Sequence, residues 1–105
     1  MSARFVLYGI KGTDADEVAH GVADVLGIEF SLRNSSYKRG SYYFHRGAER
    51  LSISIERHAH DDEGVLGEPQ YPQYGVLVYV NYSVPEVEQK LSTLEQIELL
   101  RTETV

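Results

Sequence analysis

Two segments of this chain, Arg4-Phe5-Val6-Leu7-Tyr8-Gly9-Ile10 and Gly75-Val76-Leu77-Val78-Tyr79-Val80-Asn81-Tyr82, are apolar along nearly their whole length. A half-exposed strand alternates apolar with polar residues, so a strand apolar on both faces belongs at a sheet centre or under cover on both sides. The second segment is the more apolar and is the expected sheet interior. At 105 residues the chain has the size of one domain, residues 1–105, with one core. No repeat, low-complexity tract or linker divides it.

The remaining elements follow from periodicity and caps. Thr13 or Asp14 is placed to cap a helix running to Val25 or Leu26, with Asp14, Asp16 and Glu17 at its positive end and Gly27 as its stop. Ala15, Val18, Ala19, Val22, Val25 and Leu26 recur at three- and four-residue spacing and define its buried stripe. A strand is expected over Ile28 to Arg33, and Asn34-Ser35-Ser36 breaks it. Ser41 to Arg46 and Arg50 to Arg57 flank Gly47-Ala48-Glu49, which has the length and composition of a hairpin turn. In the second arm Leu51, Ile53 and Ile55 should face the core, and Ser52, Ser54 and Glu56 should face water or a partner. Ser83-Val84-Pro85-Glu86 has the form of a capping box opening a second helix with a stripe of Val84, Val87, Leu91 and Leu94. Gln96 to Thr102 closes the chain as a last strand.

The expected order is β-α-β-β-β-β-α-β. The expected fold class is α+β, a largely antiparallel sheet with two helices on one face, a variant of the ferredoxin-like plan. The opposite sheet face and its loops are where binding is expected.

Composition narrows the function. The chain has no cysteine, which removes disulfides, thiolate metal sites and cysteine nucleophiles, and fits a cytoplasmic location. The amino terminus shows no signal-peptide pattern, and no apolar run approaches the roughly 18 to 20 residues needed to cross a bilayer. The net charge of −6 is unevenly placed. Arg33, Lys38, Arg39, Arg46, Arg50 and Arg57 outnumber Glu49 and Glu56 in the central segment, whereas everything else is strongly acidic. A phosphate backbone demands clustered Lys and Arg, so direct nucleic-acid binding is not expected, nor is a membrane partner; a basic protein surface suits this charge better.

No catalytic constellation emerges. Arg57-His58-Ala59-His60-Asp61-Asp62-Glu63 places two histidines on one side of a strand with carboxylates behind them, the donor types of a metal site. It matches the His-x-His-x-Asp half of the metallo-β-lactamase pattern, but Glu63 stands where that pattern has histidine and the chain is too short for that fold; a solvated polar loop is the expected reading. His20, His45, His58 and His60 with Lys11, Lys38 or Arg39 would suffice in kind for acid–base cleavage of RNA, but nothing in the sequence places them across a phosphate. Ser35 and Ser36 read as turn residues. Gly9-Ile10-Lys11-Gly12-Thr13 precedes a helix but lacks the spacing of a phosphate loop, and the carboxylates after it repel phosphate. No catalytic residue, metal or cofactor is expected.

The connection from His58 to Tyr74 is the strongest binding candidate. It carries Asp61, Asp62, Glu63 and Glu68 without a Lys or Arg, then Pro69-Gln70-Tyr71-Pro72-Gln73-Tyr74. Long loops within compact domains are usually functional or disordered, proline limits the freedom lost on binding, and tyrosine offers contact area with a polar tip; the competing reading is an acidic insertion that only solvates a sheet edge. The expected partner-binding residues are Asp61, Asp62, Glu63, Glu68, Tyr71 and Tyr74. Tyr37-Lys38-Arg39-Gly40-Ser41-Tyr42-Tyr43 is a second tyrosine cluster that suits either an interface or a half-buried strand.

Ser35-Ser36-Tyr37 leading to Gly40-Ser41-Tyr42-Tyr43, followed by Asp61-Asp62-Glu63-Gly64, Glu68-Pro69 and Tyr71-Pro72 with an apolar strand behind, resembles small bacterial immunity proteins of contact-dependent growth inhibition and other polymorphic toxin systems. The resemblance covers residues 30–82. It implies a cytoplasmic, non-enzymatic protein, a monomer or weak dimer, that binds and neutralises a cognate toxin domain, often a nuclease, by blocking its active site. Two other readings compete: a ferredoxin-like small-ligand binding or regulatory domain, which predicts self-association and a concave apolar pocket, and a metal-dependent or histidine-based hydrolase.

Overall fold

The computed structural model describes residues 3–12, 14–35, 40–58 and 67–105. Six strands and two helices follow the expected order: β1 (Arg4–Ile10), α1 (Ala15–Leu26), β2 (Ser31–Ser35), β3 (Gly40–Arg46), β4 (Ser52–Arg57), β5 (Val76–Asn81), α2 (Pro85–Leu91) and β6 (Ile97–Thr104). They form one sheet in the order β2-β3-β4-β5-β1-β6, every neighbour antiparallel. The most apolar segment is therefore interior, as its composition requires. Among the described residues no helix is long and apolar enough to cross a membrane.

Register decides which side chains meet. Val6 lies opposite Val80, Tyr8 opposite Val78 and Ile10 opposite Val76, while Ile53 and Ile55 of β4 lie opposite Val80 and Val78. With a side-chain period of two, all of these share one face. Both helices pack there: Ala19 and Val22 of α1 and Val87 and Leu91 of α2 join one buried cluster with these strand residues. The expected stripe of α1 holds, and so does the inward placement of Ile53 and Ile55, with Leu51 half-buried at the margin.

The caps explain where the helices begin. Asp14 is the N-cap of α1, its Oδ1 accepting from Glu17 N at 3.1 Å, and Gly27 ends the helix at φ 67°, the left-handed region that glycine enters without steric cost. The expected capping box on α2 does not form. Ser83 N donates to Arg4 O and Ser83 Oγ donates to Glu88 Oε2 at 2.8 Å, so its hydroxyl is directed past the first turn and Val84 becomes the N-cap without a side-chain bond. Pro85 at the first helical position loses nothing, because its N–H would have had no partner.

Glu88 also receives a two-pronged contact from Arg4, whose Nε and Nη2 lie 2.7 and 2.8 Å from its two oxygens. This pair ties α2 to the start of β1. The Arg4 guanidinium, seconded by Ser83, holds the Glu88 carboxyl below its ordinary range. Burial pushes the nearby Tyr8 phenol up to about 12, with the Glu88 charge adding to the effect. A carboxyl depressed in the folded state contributes stability above its unfolded pKa and loses it as pH falls through the folded value. Glu88→Gln should therefore lower the urea midpoint most near neutrality, and the gap to wild type should close in acid. A gap independent of pH would contradict this pairing.

Three expected boundaries move. The strand expected over Ile28 to Arg33 is Ser31–Ser35 instead, and Asn34 and Ser35, expected to break it as turn residues, pair with Ser41 and Gly40 of β3. The turn after β3 is longer than Gly47-Ala48-Glu49: Gly47 N donates to Leu51 O and Leu51 N to Ala48 O, with Glu49 and Arg50 at φ 53° and 73°. Arg50 and Leu51 thus close the turn instead of opening β4. The last strand runs on to Thr104, continued by reciprocal bonds between Ala3 and Val105 at 2.9 Å.

Candidate functional site

The face opposite the helices carries Leu7 and Gly9 of β1, Leu77 and Tyr79 of β5, and Ser52, Ser54 and Glu56 of β4. Ser52 and Ser54 were expected at the surface, but they are buried at 9% and 5% exposure, and Ser52 Oγ accepts from Asn81 Nδ2. Part of the cover comes from the end of the long connection. Tyr74 is buried with Leu7 and Leu77 in a second apolar cluster, and Tyr71, Tyr79 and Leu100 pack at its edge. Tyr71 and Tyr74 meet edge to face with centroids 6.5 Å apart.

Gly9 makes this docking possible. A Cβ at Gly9 would lie 2.7 Å from Tyr74 Cγ and 2.7 Å from Leu100 Cδ1, well inside van der Waals contact. The tyrosine ring therefore rests on bare backbone. Leu100 reaches the same spot because the pairing of β1 with β6 shifts register between Leu7 and Tyr8; a bulge of this kind re-aims a side chain.

Polar groups complete the attachment. Glu68 accepts from Tyr79 Oη at 2.8 Å and from Arg101 Nη1 at 3.0 Å, and its side chain is only 14% exposed. Tyr71 Oη donates to Leu100 O at 3.1 Å. Burial, then the bond to Glu68, drives the Tyr79 phenol upward, so it stays a donor across the physiological range. The Glu98 carboxylate does the same for Tyr74.

His58 closes the base of the connection. Its Nδ1 lies 2.8 Å from Tyr74 O, and its Nε2 accepts from Glu68 N at 3.1 Å. A carbonyl only accepts and an amide N–H only donates, so the ring sits here as the neutral Nδ1–H tautomer, acting as donor on one side and acceptor on the other. His58 N also donates to Gly75 O, extending the β4–β5 ladder by one bond. The chain leaves the sheet at His58 and returns at Glu68 to the same imidazole.

These contacts assign the sequence candidates. Glu68, Tyr71 and Tyr74, expected to touch a partner, each hold the connection to the sheet. Asp61, Asp62 and Glu63 lie outside the described residues, as do His60 and the Tyr37-Lys38-Arg39 part of the second tyrosine cluster. Both ring nitrogens of His58 are occupied, which leaves it no lone pair for a metal in this arrangement. Among the described residues no group of three or more His, Asp or Glu side chains is placed to hold an ion. His45 Nδ1 contacts Glu29 O at 3.0 Å and its ring meets Phe30, while His20 is exposed on α1. The sequence reading missed the clasp made by His58 and the roles of Gly9 and Arg101. A lone glycine within an apolar strand was the available signal, since it marks a close approach of another group.

No family model matches the chain, and a search of curated proteins finds no match.

Proposed function

We propose that this protein is an immunity-type inhibitor that binds a basic surface of a cognate toxin domain and blocks its active site, with the connection between His58 and Tyr74 as a contact region. The observation carrying the reading is the clasped base of that connection: the imidazole of His58, where the chain leaves the sheet, bonds Glu68 N and Tyr74 O at two points of the returning segment, and Glu68, Tyr71 and Tyr74 fasten that return. Between the two ends the sequence supplies Asp61, Asp62 and Glu63 and no Lys or Arg. A loop closed before binding loses less entropy on association. A nuclease site is cationic because it holds phosphates, so an acidic inhibitor is steered to it and can take the substrate's place.

In this reading Asp61, Asp62 and Glu63 make the charged contact, and Glu68, Tyr71 and Tyr74 hold the base from which they act. The protein does no chemistry of its own and works in the cytoplasm, where a delivered toxin would act. The fold is read as a ferredoxin-like variant: β6-β1-β5-β4 with both helices forms the central plan, and β2 and β3 extend it beyond β4.

The test is whether the adjacent gene encodes a toxin domain that co-purifies with this chain, followed by association kinetics between the two. Reversing Asp61, Asp62 and Glu63 to lysine should slow association about tenfold or more at low salt, the scale of electrostatic steering, and flatten its ionic-strength dependence. Unchanged kinetics would remove this loop from the mechanism.

A further inference from the structure

A groove of about 810 Å³ opens on the helix side of the molecule, between the first turns of α1 and the connection from α2 to β6. Its apolar surface comes from Ile10, Val18, Leu94 and Ile97. Its charged lining is Asp14, Glu17 and Glu95, with no Lys or Arg among the lining residues. Among the described residues no cation pairs with any of these three carboxylates. Gly21 contributes open space: a Cβ there would meet only Leu94 Cδ2, at 3.9 Å.

We infer that this groove is a docking site for a basic amphipathic segment of a partner protein, one that seats an apolar side chain on the Val18–Leu94 surface with arginine or lysine on either side. Charge complementarity selects this occupant. An acidic peptide or a phosphate would face three carboxylates with no cation paired to them, whereas a cation beside the groove meets them without first breaking an ion pair. A wholly apolar ligand would strip water from the same carboxylates with nothing in return. The inference deepens the proposed function, on which it rests for the partner's basic character, and adds a contact apart from the connection after His58.

Two measurements test it. In the first, a labelled peptide of alternating arginine and leucine is titrated into the full chain while backbone amide shifts are followed. Perturbations should concentrate at Gly12, Gly21, Leu94 and Ile97. Glu17→Lys and Glu95→Lys should each weaken binding about tenfold, the scale for a charge reversed at a contact. Gly21→Leu, which fills the groove, should abolish binding, and Gly21→Ala serves as the folding control because alanine favours a helix and meets only an ordinary contact. Glu49→Lys, in the turn after β3, makes the same change in net charge far from the groove and should leave affinity within about twofold, since exposed charges beyond a Debye length are screened. Equal weakening by Glu49→Lys and Glu17→Lys, or binding indifferent to Gly21→Leu, would overturn the inference; should Gly21→Leu not fold, the charge pair decides alone.

The second measurement repeats these variants with the toxin domain. Weakened toxin binding in the groove variants supports the inference. Toxin binding that falls with the Asp61, Asp62 and Glu63 reversals but not with Glu17→Lys or Glu95→Lys overturns it and leaves the proposed function standing. Localised peptide binding without any toxin binding supports the groove and removes the toxin reading.

Discussion

Gly9→Val is expected to destabilise the protein by about 2 kcal/mol, within the usual range for overpacking a filled site, and to loosen the connection after His58 along with it. The cause is local. The added Cβ would enter the space held by Tyr74 and Leu100, each 2.7 Å away. Leu100 can yield, because the contact is with the end of its side chain. The Tyr74 contact is with ring carbons next to its own Cβ, so relief there means moving the backbone. That motion pulls on Tyr74 O, the acceptor for His58 Nδ1, and through the imidazole on Glu68 N. Hydrogen exchange should show the Glu68 amide losing protection before the central β5 amides do. A double-mutant cycle separates this account from a general dislike of valine at that position: in a Tyr74→Ala background, where the ring is gone, Gly9→Val should cost far less than alone. Additive costs would show that Tyr74 does not rest on Gly9 in solution.

Much of the fold was legible because the strongest signals were periodic. The alternation of Leu51, Ile53 and Ile55, the stripe of α1, and the apolar runs through Leu7 and Val78 each left one arrangement that buries them. Element order and the antiparallel sheet with two helices followed from them. The misreadings sit where tertiary contacts outbid local chemistry. Ser83 has the form of a cap, but Glu88, made available by Arg4, claims its hydroxyl. Arg50 looked like the start of a strand, but the turn needs left-handed residues and takes Glu49 and Arg50 although neither is glycine. Ser52 and Ser54 alternate correctly with the core residues, yet the second face is covered as well, so alternation there does not mean exposure.

The candidate site was legible as a segment and not as a set of roles. Proline, tyrosine and an excess of acids marked residues 58–74 as unusual, and that much needs only composition. What Glu68 and Tyr74 do depends on Arg101, Tyr79 and Gly9, which come together through the register of β1 with β5 and of β1 with β6. Long-range pairings of that kind leave no mark in the sequence around Glu68 and Tyr74; only the glycine within β1 signals a close approach. The groove beside α1 was missed for the same reason: Glu17 read as a favourable charge on a helix end, and only the path of the chain through Leu94 and Glu95 sets it on the lining of an apolar surface.

Glu68 offers the sharpest separation between a residue that holds the connection and one that serves a partner directly. Glu68→Ala should cost about 2 kcal/mol, because it takes the carboxylate from a partly buried guanidinium, and removing one member of a buried polar pair costs more than the pair contributes. Arg101 is left with Glu103 at 3.4 Å, a pair far more open to solvent, so the compensation is incomplete. Replacing Glu68 and Arg101 both by leucine should recover much of the loss, since the two paired charges then leave together and an apolar side chain opposite Leu7 in the β1–β6 pairing needs no partner. A surface contact residue behaves in the opposite way: its alanine variant keeps its stability and loses only affinity. Chemical denaturation of the single and double variants, read beside toxin binding, therefore assigns the role. If Glu68→Ala leaves the unfolding midpoint unchanged, the carboxylate is not held by Arg101 and Tyr79. If it lowers the midpoint while the double leucine variant restores both stability and binding, the side chain acts by fastening the loop, and the charge that meets the partner lies elsewhere.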